Sequence, residues 1–301
     1  MKDTYIKSVA EFLQIIEDEA HMYRSNGWNS NPKQLHFLYR GMENKEYELC
    51  PLVYRTSDVK RTIIGSEQLV TTAPRYLAYT CEFNILFDFI HEAAGYTTGI
   101  DDNAFHKWIV LAQHHGVPTR LLDWTSNPLV GLYFACKSKS ESDAVVWMLH
   151  TWNYTTVTLN SGPTEGNHNL ADLVNLTVKS HGKHQDVPKY PFIYTPNYFD
   201  HRMSAQGSYF LVWGKDQRPL EEQIEPQHYL RSLEEVKVNG NKADQYDEKR
   251  FIYRVLIKHR DKMHILRQLD LLGINERTLF PGLDGIGKYV EMKYRFDGNE
   301  V

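Results

Sequence analysis

Three polar blocks, Phe37–Gly41, Gln113–Ala135 and Phe199–Phe210, interrupt stretches whose apolar residues recur at helix or strand spacing. This alternation constrains the fold more than any other feature of the chain. Ser8 followed three residues later by Glu11 is a capping box, and Val9, Phe12, Leu13, Ile15 and Ile16 then keep a helical stripe. Glu82–Ala94 repeats such a stripe through Phe83, Leu86, Phe87 and Ile90 and stops at Gly95. A further helix runs from about Asn103 to Gly116-Val117-Pro118, and Asn127-Pro128 sets an N-cap and a first-turn proline before a helix ending near Lys137. His264–Leu272 closes at Gly273 in the same manner. Leu35–Tyr39, Ala144–Leu149, Ser208–Trp213 and Phe251–Ile257 read as strands. Thr155–Pro188 and Lys237–Glu248 lack periodicity and read as polar excursions, the first of a kind that can act as a mobile flap over a site. The pattern predicts an α+β fold: a single domain over residues 1–301, with a central, mostly antiparallel sheet flanked by helices and residues 1–30 as an N-terminal helical extension.

Composition narrows the function. With 301 residues, 42% hydrophobic and 13% aromatic, the chain can bury a large core. Its net charge is −4 and its basic residues are dispersed, which disfavours a non-specific grip on nucleic acid. A local basic groove from Arg40, Arg120 and Arg202 remains compatible with that balance. Three cysteines, Cys50, Cys81 and Cys136, without any Cys-x-x-Cys pair argue against a disulfide framework or a thiolate zinc site. No run of about 18 apolar residues occurs, so no membrane association is expected and the expected location is cytoplasmic. Among fourteen histidines the nearest groupings are His181 with His184 and His114 with His115. Neither has convincing ligand geometry, and no metal site is expected. Phosphate-loop, dinucleotide and serine-hydrolase fingerprints are missing, which leaves chemistry based on positioning, anion contacts and one polar or acidic group.

Each block has two readings. Arg40 ends a short strand before Gly41, which lets the backbone turn; it is either an anion anchor at a pocket mouth or half of a structural ion pair. In Gln113–Thr125, a turn between two helices, Arg120 and Asp123 can pair to lock the turn, while His114 or His115 serves as acid, base or donor. The alternative is a satisfied polar network fixing a helix–helix angle. Arg202 and Gln206 stand at the entrance of the following strand; Gln206 either binds a ribose or base edge through both amide functions or satisfies turn backbone.

Phe37-Leu38-Tyr39-Arg40-Gly41, Gln113–Pro128 and Arg202-Met203-Ser204-Ala205-Gln206-Gly207 together resemble the FRG domain family, and Leu279–Gly285 resembles its tail, so that the likeness spans roughly residues 30–290. The resemblance implies a bacterial or phage-associated protein in a defence or toxin setting. By analogy, the order of a strand-end Arg, an aromatic helix and a later Gln is similar to that of ADP-ribosyltransferases, with NAD as the cofactor. That analogy implies Arg40, Asp123 and Gln206 as catalytic residues: Arg40 on the NAD phosphates or ribose, and Gln206 on the ribose or acceptor. It also implies Tyr133 or Trp124 stacked on nicotinamide, and Tyr39, His114, His115, Arg120 and Arg202 around the ligand. The late motif lacks its usual acidic residue, since Gly207 and Ser208 follow Gln206, so a carboxylate such as Asp123 or Asp200 must be supplied by folding. The other readings are a non-enzymatic sensor of a nucleotide or phage component and a nuclease; a protein or nucleic-acid target is the expected partner of an enzyme.

Overall fold

The structure, a computed structural model, describes residues 4–25, 37–62, 68–74, 80–97, 99–138, 140–159, 170–224 and 251–294. Seven strands form one mixed sheet. In spatial order they are β1 (Thr4–Ile6), β9 (Ile252–Ile257), β6 (Ala144–His150), β2 (Phe37–Met42), β5 (Leu121–Thr125), β8 (Ser208–Val212) and β7 (Phe192–Tyr194). Every ladder is antiparallel except that of β1 with β9. β3 (Thr56–Thr62) and β4 (Gln68–Pro74) form a separate two-stranded ladder. All seven residues of β6 are buried, as expected of a continuous apolar strand with both faces covered.

Helices cover one face in two groups. On the β2 side, α1 (Val9–Ser25), α4 (Pro128–Cys136) and α9 (Lys262–Leu271) pack Phe12, Val130, Leu132, Ile265 and Leu269 against Phe37, Tyr39, Val146 and Val255. On the β5 side, α2 (Thr80–Ala93), α3 (Phe105–His114) and α6 (Leu170–Lys179) pack Leu86, Ile109, Val174 and Val178 against Leu121, Phe210 and Val212. The opposite face carries Leu38, Leu122, Trp124, Trp147, Leu211 and Trp213, with Tyr154 of α5 (Thr151–Leu159) and Leu220 of α8 (Leu220–Gln223). Three further helices are α7 (His201–Gln206), α10 (Glu276–Leu279) and α11 (Leu283–Tyr294). Among the described residues no helix is long and apolar enough to cross a membrane.

Several expectations change. The chain opens on a strand, and Ile6, Val9 and Phe12 belong to the core, so the described part of the N-terminal segment is built into the sheet rather than appended to it. The Ser8–Glu11 box is shifted by one residue: Glu11 N–H donates to Ser8 Oγ, but the Glu11 carboxylate accepts from Lys7 N–H. The Asn127 cap forms as expected, accepting from Leu129 N–H at 3.0 Å. Gln113–Thr125 is not a turn between two helices, because Leu121–Thr125 is an inner strand of the sheet. The Thr155–Pro188 excursion contains the end of α5 and all of α6, the latter packed against α3. Residues 160–169 and the Lys237–Glu248 excursion lie outside the described residues.

Gly41 does not turn the chain either, since β2 continues through Met42. A Cβ at Gly41 would lie 1.8 Å from the Gly131 carbonyl oxygen and 2.5 Å from the Ala135 amide nitrogen, so strand and helix α4 meet backbone to backbone. Gly41→Ala is expected to force β2 from α4 and cost about 1–3 kcal/mol of stability, read as a lowered urea midpoint with an unchanged slope.

Candidate functional site

β2 and β5 are neighbours in the sheet, yet they share one register pair, Tyr39 with Thr125. The flanking β2–β6 and β5–β8 ladders hold six and five pairs. Beyond Tyr39 the two strands therefore part, and a cavity of about 300 Å³ opens there. Its walls carry consecutive residues of both strands, Tyr39-Arg40-Gly41 and Asp123-Trp124-Thr125. Gln113 and His114 close it from α3, Phe134 from α4, and Arg202, Met203 and Gln206 from α7. Strand alternation explains the mixture: successive side chains point to opposite faces, and only a gap between strands exposes both sets to one space.

Arg40 spans the gap. Its Nη1 donates to the Asp123 carbonyl oxygen, supplying across the opening a bond that the ladder no longer makes. Burial pulls its guanidinium down to about 10, opposed by the nearby Asp123 carboxylate, so it stays charged at neutral pH. The Asp123 side chain is exposed toward the cavity and held by a relay: Leu121 N–H donates to Thr119 Oγ1 at 3.1 Å, Thr119 Oγ1 donates to Gln113 Oε1 at 2.6 Å, and Gln113 Nε2 donates to Asp123 Oδ2 at 2.8 Å. That relay fixes the Gln113 amide and orients the carboxylate. Among the described residues no cation lies within ion-pair distance of Asp123.

The α7 wall is equally well anchored. Asp200 caps the helix by accepting from Arg202 N–H at 2.5 Å, and Gly207 ends it in the left-handed region at φ +56°. Thr125 Oγ1 donates to the Gln206 carbonyl at 2.5 Å and Ser126 N–H to the Gly207 carbonyl at 3.0 Å, which ties α7 to the end of β5. The Arg202 guanidinium lies 4.7 Å from the centre of the Phe280 ring. His114 is half-buried, with Nε2 3.5 Å from Asp200 Oδ2. Burial lowers its pKa against the raising effect of Asp200, and the positive Arg202 adds to the lowering, so the imidazole is neutral at pH 7.

Six of the residues singled out from sequence thus meet in one place: Tyr39, Arg40, His114, Asp123, Trp124 and Arg202, with Gln206 as a seventh. Gln206 reaches the cavity with one amide function committed, because Nε2 donates to the Leu279 carbonyl at 3.0 Å. Three expected residues stand elsewhere. His115 is exposed beyond the end of α3 and packs edge-on to His114. Tyr133 is buried in the α4 core, where its hydroxyl donates to Glu276; the aromatic ring that α4 offers the cavity is Phe134. Arg120 is fully buried and pairs not with Asp123 but with Glu82 of α2, Nε to Oε1 at 2.6 Å and Nη2 to Oε2 at 2.7 Å, while Nη1 donates to the Trp213 carbonyl at 2.9 Å. Tyr54 donates to the same carboxylate at 3.0 Å. Burial alone would lower the Arg120 pKa, but Glu82 holds it above its ordinary value. Sequence reasoning misses Gln113, Thr119 and Phe134 as site residues; the cluster of polar side chains around Gln113 is the only signal for the first two.

Among the described residues no group of three or more His, Cys, Asp or Glu side chains can hold a metal ion. Burial pushes the Cys50 and Cys136 thiols up to about 12, which suits packing rather than nucleophilic attack.

Removing one partner of the buried pair leaves an uncompensated charge, so Glu82→Ala should cost about 3–5 kcal/mol, measured by chemical denaturation, whereas Asp123→Asn should leave the midpoint nearly unchanged.

No curated protein and no solved structure matches the chain. The family model described as FRG domain matches residues 35–144, from β2 to the start of β6, taking in the Arg40, Gln113, His114, Asp123 and Phe134 side of the cavity and leaving α7 outside it. Residues 35–144 are thus similar to the FRG domain family.

Proposed function

We propose that the cleft between β2 and β5 binds NAD as substrate and transfers its ADP-ribosyl group to a protein or nucleic-acid target. One observation carries this reading: a fixed carboxylate, Asp123, and a charged guanidinium, Arg40, converge on one cavity, with Asp123 oriented by Gln113. Breaking the bond between ribose C1′ and the nicotinamide nitrogen leaves the electron pair on nicotinamide and builds positive charge on the ribose. A carboxylate held beside that carbon stabilises the charge without having to reorganise. The acceptor's oxygen or nitrogen then bonds C1′ from the opposite face and releases its proton to Asp123 or water.

Arg40 and Arg202 supply charge for the phosphates, and Arg40 in particular has donor capacity left after its bond to the Asp123 carbonyl. The aromatic residues Trp124 and Phe134 give the planar ring an apolar wall. A volume of about 300 Å³ is at the lower end for ligand sites. It suits the nicotinamide riboside end of the molecule with its first phosphate, the rest lying across the exposed mouth. The neutral His114 and the free acceptor of Gln206 remain to orient ribose hydroxyls. A defence or toxin role is the setting in which such an activity would be used.

The second reading, a module that binds a nucleotide without turnover, uses the same cations and differs in needing no carboxylate. Purified protein incubated with NAD and cell extract is expected to release nicotinamide, with Asp123→Asn slowing release at least a hundredfold at the wild-type melting temperature and Arg40→Ala weakening NAD binding in a variant that is still folded. Binding of ADP-ribose with no nicotinamide release under any extract would decide for the binding module.

A further inference from the structure

Arg40 Nε, Trp124 Nε1 and Trp147 Nε1 are hydrogen-bond donors on one face of the sheet that are buried without a hydrogen-bond partner. They stand in a row. Arg40 is the register partner of Trp147 in the β2–β6 ladder, and the Tyr39–Thr125 pair makes Trp124 its counterpart across the opening to β5. Leu38 and Met42, which flank Arg40 at two-residue spacing, share a core cluster with both tryptophans, so all three side chains belong to the same face. Arg40 is therefore bracketed by two indoles.

An unmet buried donor is destabilising, and three in adjoining positions mark a place where an acceptor belongs. The second carboxylate whose charge acts on Arg40, after Asp123, is not that acceptor. Glu221 acts on Arg40 only through its field, and both of its oxygens accept from Leu49 N–H, at 2.8 and 3.1 Å. Arg55, the other neighbouring charge, is a cation whose Nε donates to the Cys50 carbonyl. Arg40 and Trp124 both line the cavity, so the row is reached from it through the parted strands.

We propose that the Trp124–Arg40–Trp147 row is an oxyanion subsite for a group that carries acceptors only, such as the unprotonated oxygens of a phosphodiester or a pyrophosphate bridge. Guanidinium and indole nitrogens donate and cannot accept, so a hydroxyl or amide presented here would bring its own donor against three others. The inference rests on the preceding reading in placing the ligand's phosphates in this cleft, and it changes the part Trp124 plays there, since its N–H edge holds an oxygen and stacking falls to Phe134. Trp147, which does not itself line the cavity, becomes a specificity residue acting from behind Arg40.

The test uses sulfate, an acceptor-only oxyanion, and ADP-ribose as probes, with calorimetry and the indole ¹⁵N–¹H resonances of the full chain. Trp147→Phe keeps the ring and deletes the donor; it is expected to weaken both probes about tenfold, a hydrogen bond to a charged group being worth at least that. In the wild-type protein, where folding is not at issue, the Trp124 and Trp147 indole resonances should move downfield with either probe. Sulfate binding with both indoles shifted, but no ADP-ribose binding, would support the subsite while removing the NAD reading. ADP-ribose binding with both indoles unmoved, unaltered affinity in Trp147→Phe, or an absence of binding by either probe would each overturn the subsite.

Discussion

Once past Tyr39 and Thr125, no ladder pair joins β2 to β5, and the rest of the site depends on how that gap is held open. An unpaired stretch of inner strand is costly because backbone donors and acceptors must be met somewhere. Here the side chain of Arg40 meets one of them at the Asp123 carbonyl, and the two halves of the sheet are anchored outward. β2 is drawn to α4 by the Gly41–Gly131 contact, which only glycine permits. β5 is drawn the other way by Arg120, whose guanidinium fastens it to α2 through Glu82 and to the Trp213 carbonyl after β8. The most buried charged side chain among the described residues thus serves the cleft without touching it.

Charge inside the cleft is arranged by the same scaffold. Arg40 and Arg202 come from opposite walls, Asp123 is oriented through neutral groups, and His114 is kept uncharged by burial and by Arg202. A cavity with fixed cations, one oriented carboxylate and a neutral imidazole can hold an anion and still stabilise positive charge that develops at a carbon beside it. Neither α3 nor α7 alone provides this; α7 is tied to β5 through Thr125 and Ser126, so the wall that lies outside the matched FRG segment moves with the strand that lies within it.

Much of this is legible in the sequence, in particular ways. Helices α2, α3, α4 and α9 and strands β6, β8 and β9 are readable from periodicity and caps, because local signals dominate in them. The three polar blocks converge because each carries residues that border the β2–β5 opening. β5 is not legible: Leu121-Leu122-Asp123-Trp124-Thr125 is five residues long, lacks flanking turn glycines, and is a strand only through its partners Tyr209 to Val212. The partner of Arg120 lies 38 residues away on a helix face, and nothing in the local pattern favours Glu82 over Asp123. Helix α6 carries a signal that can be read, since Leu170, Leu173, Val174, Thr177 and Val178 form a helical stripe inside the polar excursion. The row of unmet donors is beyond reach, because it exists only when the strands are aligned.

Amide hydrogen exchange with and without ADP-ribose tests the central claim most directly, because it reports on both sides of the gap at once. Ligand-dependent protection confined to β2, the C-terminal turn of α3, β5 and α7 is the result expected if the parted strands form the binding site. Protection elsewhere on the chain, with these four segments unchanged by bound ligand, would contradict it.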